Sequence, residues 1–165
     1  MSEKRISVTL TQQHDYRFDI RFDDSMPVLT SDEPAPLGTG LGPSPVQLLC
    51  AAVGNCLSDS LLFALRKFKQ APEPLRCEVQ AEVGRNADGR MRVLEMVATL
   101  QLGVSAAQLE QLERVLGQFE GFCTVTQSVG IAQVHQGDMN RALKVADDNL
   151  YAAKQAGRNQ VMRAE

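Results

Sequence analysis

Apolar and polar residues alternate from the start of the chain. Ile6, Val8 and Leu10 are separated by polar residues, and Tyr16, Phe18, Ile20 and Phe22 repeat the pattern after Gln12 to Asp15. A period of two is that of a strand with one buried face, so the two runs predict an antiparallel hairpin turning at 12–15. Val28 to Thr30 predicts a further short strand, and Ser31 to Pro43, rich in proline and glycine, a loop.

The pattern then changes. Ser44-Pro45 predicts a helix start, because serine caps free amides and proline's missing N–H has no partner in the first turn. From Val46 to about Phe68 nearly every residue through Leu65 is apolar or small, with charges only at Asp59 and from Arg66 onward. Such a helix is expected to be buried on nearly all sides. Arg66 and Lys67 suit the negative end of its dipole.

Pro72 and Pro74 end this helix. Leu75, Cys77, Val79, Ala81 and Val83 then alternate with Arg76, Glu78, Gln80 and Glu82, and Met96, Ala98, Leu100 and Leu102 alternate after a turn at Asn86 to Gly89. Two more strands are predicted. Ser105 to Gln108 has the S-x-x-Q form of a capping box, and Leu109, Leu112, Val115, Leu116 and Phe119 follow at the spacing of an amphipathic helix. Ser128 to Val134 predicts a short strand. Asp138 to Ala156 predicts a third helix, with Ala142, Val145, Ala146, Leu150 and Ala153 on one face and Gly157 as its stop. The order of strands, helix, strands, helix predicts an α+β fold, with antiparallel sheets around a buried central helix, and not the alternation of a parallel βαβ sheet.

Composition narrows the function classes. A chain of 165 residues suits one ordinary domain, and a net charge of -3 gives no electrostatic reason to expect nucleic acid or an anionic membrane as partner. No secretion signal is visible at the N-terminus, and the apolar run from Leu48 to Val53 is too short to span a bilayer, so a cytoplasmic location is expected. Cysteines 50, 56, 77 and 123 would then be reduced at rest, and none forms a C-x-x-C pair of the zinc or thioredoxin type. His14 and His135 are isolated from other ligand types, so neither a metal site nor a cofactor is expected. The adjacent carboxylates Asp32-Glu33 and Asp147-Asp148 read as solvated charge.

Cys56, in the middle of the apolar helix, is open to two readings on its own: a small packing residue, as unpaired cysteines usually are, or a nucleophile. The surrounding residues add to this. Gly42-Pro43-Ser44-Pro45-Val46-Gln47-Leu48-Leu49, followed by Ala51-Ala52-Val53-Gly54-Asn55-Cys56, resembles the G-P-S-P-x-E-L-L…A…G-x-C signature of the OsmC/Ohr family of thiol peroxidases. Gly121-Phe122-Cys123-Thr124-Val125-Thr126 is similar to the segment that carries the family's second cysteine. Phe18 to Phe22 and Leu29 to Pro34 add weaker likenesses, and the resemblance covers about residues 1–128 in the family's order.

The resemblance implies a cysteine-based peroxidase acting on organic hydroperoxides, with hydrogen peroxide secondary. Cys56 would be the attacking thiolate and Cys123 the resolving thiol, with a dithiol as external reductant and a homodimer as assembly. Burial of a thiol raises its pKa, so a cation is required beside it. Arg21 is the best match to the family's arginine, and Arg17 the second. The family's glutamate that orients this arginine is replaced: Val46 and Gln47 stand in its place, and Gln47 accepts a hydrogen bond but brings no charge. Slower turnover, or a catalytically weak relative that binds a small ligand or senses redox state, is the alternative. Cys50 and Cys77 read as packing residues.

The C-terminal segment resembles another family. Thr126 to Ala132 and Ala142 to Asn159 are similar to the end of a diguanylate cyclase (GGDEF) domain, so that 129–165 is expected as an extension meeting the first resemblance between Thr124 and Val129. The catalytic Gly-Gly-[Asp/Glu]-Glu-Phe motif is absent from the chain, so packing and not nucleotide chemistry is the expected role.

Overall fold

The structure, a computed structural model, describes residues 5–126. The strand and helix expected over 128–156, the cyclase-like segment and the expected boundary at 128 lie outside the described residues. The fold is α+β with antiparallel sheets, and the chain divides into two compact units, Met1–Ala51 with Ala81–Met96, and Ala52–Gln80 with Val97–Glu165.

In the first unit β1 (Thr9–His14), β2 (Arg17–Arg21) and β3 (Leu29–Ser31) form an antiparallel sheet in that order. Leu10 stands opposite Ile20, and Phe18 opposite Ser31. The first turn is tighter than the sequence suggests. β1 continues to His14, and Asp15 takes the left-handed conformation at φ 46 that acidic and amide residues tolerate best, while the Gln12 side chain donates to its carbonyl at 2.9 Å. Ile20 is buried, but β1 is exposed along its whole length, Leu10 by 57%. The expected dry face of the first strand therefore finds no cover among the described residues. The loop after β3 passes so close to it that a Cβ on Gly42 would collide with the Thr30 carbonyl oxygen.

α1 (Pro45–Lys67) begins with a reciprocal cap: the Ser44 N–H donates to Gln47 Oε1 at 2.8 Å, and the Gln47 N–H to Ser44 Oγ at 3.4 Å. Its buried residues are Val53, Gly54, Ser60, Leu61, Ala64 and Leu65. Leu49, Ala51, Ala52 and Phe63 are exposed, which corrects the expectation of burial on nearly all sides. The buried residues fall on part of the 23-residue helix and the rest of its apolar surface is open. By length and composition alone α1 is apolar enough to cross a membrane, with a mean hydropathy of 1.7, a property that core helices of soluble proteins share.

In the second unit Leu61, Ala64 and Leu65 of α1 pack with Leu109, Val115 and Phe119, flanked by Leu57, Phe68, Leu75, Leu100 and Leu102. β4 (Arg76–Arg85) and β5 (Met91–Gln101) form a hairpin whose base belongs to this unit and whose tip, 81–96, belongs to the first; it closes at Asn86, whose side-chain oxygen accepts from the N–H groups of Asp88 at 3.1 Å and Arg90 at 3.0 Å. Met96, Ala98 and Leu100 face inward as their spacing predicts.

The expected second helix is broken. A 3₁₀ turn at Ala106–Gln108 leads into the short α2 (Leu112–Leu116), and another 3₁₀ turn follows at Phe119–Phe122. Gln108 Oε1 does return to Ser105, accepting from its N–H and hydroxyl at 3.1 Å each. Leu109, Val115 and Phe119 nonetheless enter one core.

Candidate functional site

Residues one helical turn apart share a face, so α1 sets Cys56 and Ser60 side by side. The Ser60 hydroxyl, buried to 5% exposure, donates to the Cys56 carbonyl at 2.7 Å. Gly54, two residues earlier, points about 200° away. A Cβ there would meet Val79 Cγ2 at 2.8 Å and Cys77 Sγ at 3.4 Å, so β4 packs on the Gly54 flank and leaves the Cys56 flank to the other side.

That side receives the turn after α2. The Cys123 N–H donates to the Glu120 carbonyl at 3.0 Å, the Thr126 hydroxyl donates to the Cys123 carbonyl at 3.4 Å, and Cys123 is fully buried. Lys67 pins the turn to α1: its Nζ lies 4.7 Å from the ring centroids of both Phe63 and Phe122, which meet edge to face at 5.6 Å. The Val125 N–H then reaches Cys56 Sγ at 3.4 Å.

Cys56 and Cys123 are brought together as free thiols, Cys56 donating its S–H to the Cys123 sulfur. This bond polarises the pair. Burial, then the bond to Cys123, pushes the Cys56 pKa up against the lowering effect of the Val125 and Thr124 amides. For Cys123 burial also pulls upward, but the Cys56 thiol and then the polar groups of Thr126 and Ser60 outweigh it and bring the thiol below its ordinary value. Two thiols so joined are poised for disulfide chemistry: one deprotonates more readily, and the other keeps the proton until an outside charge draws it off.

Arg21 and Gln47 belong to the other compact unit. Arg21 is exposed at the end of β2, and the Gln47 oxygen is occupied by the helix cap. Arg17 is the arginine that the structure fixes. Its guanidinium donates to Thr39 Oγ1 at 2.7 Å, Thr39 donates to Asp32 Oδ2 at 2.7 Å, and Arg17 Nε lies 3.7 Å from the same carboxylate oxygen. Asp32 also accepts from the N–H groups of Thr39 at 3.1 Å and Leu41 at 3.3 Å. The Thr39 hydroxyl leads these contacts in lowering its pKa to about 2.

Asp32 is therefore not the solvated charge that its neighbour Glu33 suggested: it is 2% exposed and organises the loop from 32 to 43. The sequence signal for it was only a proline- and glycine-rich stretch, because loop amides that turn inward leave no side-chain pattern. Ser60 and Thr126, both buried, were likewise missed. Cys50 and Cys77 are half-buried. Among the described residues no group of three or more His, Cys, Asp and Glu side chains is placed to hold a metal ion.

Comparison with known proteins agrees with this geometry. No curated protein sequence matches. The fold matches an OsmC-like protein of unknown function from Vibrio cholerae at TM-score 0.64 and 19% identity, covering 77% of this chain and 94% of that one. An OsmC-like protein from Mycoplasma pneumoniae matches at TM-score 0.62 and 16% identity over 75% and 86%. The organic hydroperoxide resistance protein OhrB of Bacillus subtilis matches at TM-score 0.54 and 17% identity over 72% and 86%. The family described as OsmC-like protein matches residues 38–135, more than half of the chain, including both Cys56 and Cys123 and passing the end of the resemblance read from the motifs. The chain belongs to the OsmC-like protein family.

Proposed function

We propose that the protein is a thiol-dependent peroxidase that reduces organic hydroperoxides at the Cys56–Cys123 pair. The observation that carries this reading is the pairing itself: two cysteines far apart in sequence meet as reduced thiols, with a backbone amide on the sulfur of one of them. Membership of a family whose solved relatives include an organic hydroperoxide resistance protein supports it.

Each step balances. The Cys56 thiolate attacks one oxygen of the hydroperoxide, the O–O bond breaks, and the alkoxide takes a proton and leaves as an alcohol. Cys123 then attacks the sulfur of the Cys56 sulfenic acid. An S–S bond forms, the S–O bond breaks, and the hydroxyl group leaves as water with the thiol proton. A dithiol reductant restores the pair. The first step requires a cation, a role the family resemblance gives to an arginine of the N-terminal hairpin, Arg21 first and Arg17 second; within its own unit Arg17 is held through Thr39 and Asp32, while Arg21 is exposed.

The assembly we propose is a homodimer, in which a second copy covers the apolar surface left bare at Leu10 of β1 and Leu49 of α1. A cytoplasmic setting, which keeps thiols reduced, fits the free cysteines. Residues 129–165 are assigned a packing role. A second reading, a weak relative that binds a small ligand or senses redox state, is favoured by the upward shift of Cys56 and by Gln47 standing where the family motif has a glutamate.

Treatment with cumene hydroperoxide followed by peptide mapping decides between them. The expected result is consumption of about one equivalent of peroxide and a Cys56–Cys123 disulfide. Free thiols at both positions, under conditions that oxidise an active relative, would establish the second reading.

A further inference from the structure

Cys56, Phe63 and Lys67 stand at i, i+7 and i+11 along α1, so at about 100° per residue they form one narrow stripe, about 40° wide. The turn that carries Cys123 is gripped at both ends of this stripe. At the far end the Lys67 ammonium lies 4.7 Å from the ring centroids of both Phe63 and Phe122, which meet edge to face at 5.6 Å. At the near end the Val125 N–H donates to Cys56 Sγ at 3.4 Å. Cys123 lies between the two grips in the chain, and all these residues belong to one compact unit. Cys123 is fully buried while its neighbour Phe122 is exposed, so holding Phe122 against α1 from outside sets where the thiol lies inside.

The turn's own bonds fix its shape and not its place on α1. The Cys123 N–H donates to the Glu120 carbonyl at 3.0 Å, and the Thr126 hydroxyl to the Cys123 carbonyl at 3.4 Å. Phe119 is anchored in the core, but Gly121 separates it from Phe122. A Cβ added at Gly121 would meet nothing within 4 Å, and its φ is not positive, so neither space nor conformation calls for glycine there. What glycine does supply is a loose link. The register of Cys123 then depends on the contact with Lys67.

We propose that Lys67 is a positioning residue for the second cysteine: with Phe63 it clamps Phe122 to α1 and so holds the Cys123 thiol within reach of Cys56. The step it serves is disulfide closure. On a Cys56 sulfenic acid, the Cys123 sulfur attacks Cys56 Sγ, the S–S bond forms, the S–O bond breaks, and the hydroxyl leaves as water with the thiol proton. On a mixed disulfide of Cys56 with glutathione, the same attack expels the glutathione thiolate, which takes the proton. A clamp raises the effective concentration of one thiol at the other, so it acts on closure and not on the attack of Cys56 on peroxide. The inference rests on the two-cysteine reading, but its equilibrium test needs no peroxide.

The test uses the full chain with Lys67→Gln, Lys67→Arg, Phe122→Leu and Arg66→Gln. Arginine keeps a cation that stacks on aromatic rings, and glutamine does not. Arg66→Gln removes the neighbouring cation at the same helix end, which pairs with Glu73 at 2.6 Å, and so isolates any effect of the helix dipole. In a glutathione redox buffer, the equilibrium constant for the Cys56–Cys123 disulfide should fall about three- to tenfold in Lys67→Gln and Phe122→Leu, with the glutathione mixed disulfide at Cys56 rising in step. It should stay within about twofold in Lys67→Arg and Arg66→Gln. With cumene hydroperoxide, Lys67→Gln should release alcohol within about twofold of the unsubstituted rate and close the disulfide about three- to tenfold more slowly. Unchanged constants in both Lys67→Gln and Phe122→Leu, or an equal fall in Arg66→Gln, would overturn the role of Lys67. Failure of the unsubstituted protein to react with hydroperoxide, with the ranking of the constants intact, would remove the peroxidase reading and leave this one standing.

Discussion

The Val125 N–H lies 3.4 Å from Cys56 Sγ, so the backbone that follows the second cysteine donates to the sulfur of the first. The segment that delivers Cys123 therefore also shapes Cys56. Its amide lowers the Cys56 pKa while the Cys123 sulfur, as acceptor of the Cys56 proton, raises it.

This gives opposite expectations for the two single-cysteine variants. Cys123→Ala removes an influence that holds Cys56 protonated, so the Cys56 pKa falls and its alkylation by iodoacetamide near neutral pH should speed up about two- to fivefold. Cys56→Ala removes a bond that holds the Cys123 pKa down, so the pKa rises and Cys123 should alkylate more slowly. Mass-resolved alkylation rates check both. The same direction of change in the two variants would show that the thiol–thiol bond does not polarise the pair.

Arg17 and Arg21 are two positions apart on one strand but differ in what holds them. Arg17→Ala should slow oxidation of Cys56 by cumene hydroperoxide about tenfold or more, the loss expected when a fixed cation no longer favours the thiolate. Arg21→Ala should change it less than about twofold, as removal of a solvated charge does. Stopped-flow thiol loss distinguishes them, and the reverse ranking would restore Arg21 as the relevant cation.

Asp32 makes stability depend on acid. Its folded pKa of about 2 lies below the ordinary 3.8, so its contribution is complete above 3.8 and is lost as pH falls through about 2. Asp23 and Glu73 also titrate low and share in any acid transition, so the comparison must be made against a variant. Asp32→Asn should lower the Tm at pH 7 by about 3 °C or more and flatten its decline between pH 4 and pH 2 relative to the unsubstituted chain. Parallel Tm curves across that range would contradict the buried-carboxylate assignment.

Gly54 tests the packing behind Cys56. Alanine is favoured over glycine in a helix by about 1 kcal/mol, yet its Cβ would stand 2.8 Å from Val79 Cγ2, a distance that forces a branched, stiff side chain to move. Overpacking of this kind costs about 1–3 kcal/mol. Gly54→Ala should therefore be neutral to destabilising by up to about 2 kcal/mol in chemical denaturation, and Gly54→Leu strongly destabilising. A Gly54→Ala variant more stable by the full helix-propensity gain would mean that β4 does not lie against this flank.

Much was legible along the chain because it is written in local pattern. The period of two gave both hairpins, and Ser44-Pro45 gave the start of α1. The wording around Cys56 and Cys123 gave the family. What depends on other parts of the chain was not legible. The helix expected from Ser105 to Phe119 is broken into a 3₁₀ turn, the short α2 and a second 3₁₀ turn, although its apolar spacing is that of one continuous helix. Asp32 read as solvated because its partners are loop amides and a threonine seven residues on, brought round by the turn of the chain. Ser60 looked like any small residue in an apolar helix until the turn carrying Cys123 closed over it. The sequence by itself determined which thiols the fold would hold and on which element each would sit, since helix caps, strand alternation and breakers act over a few residues. Only the tertiary structure decided the surroundings of each sulfur, because burial and hydrogen-bond partners around it come from segments that meet in space and not along the chain.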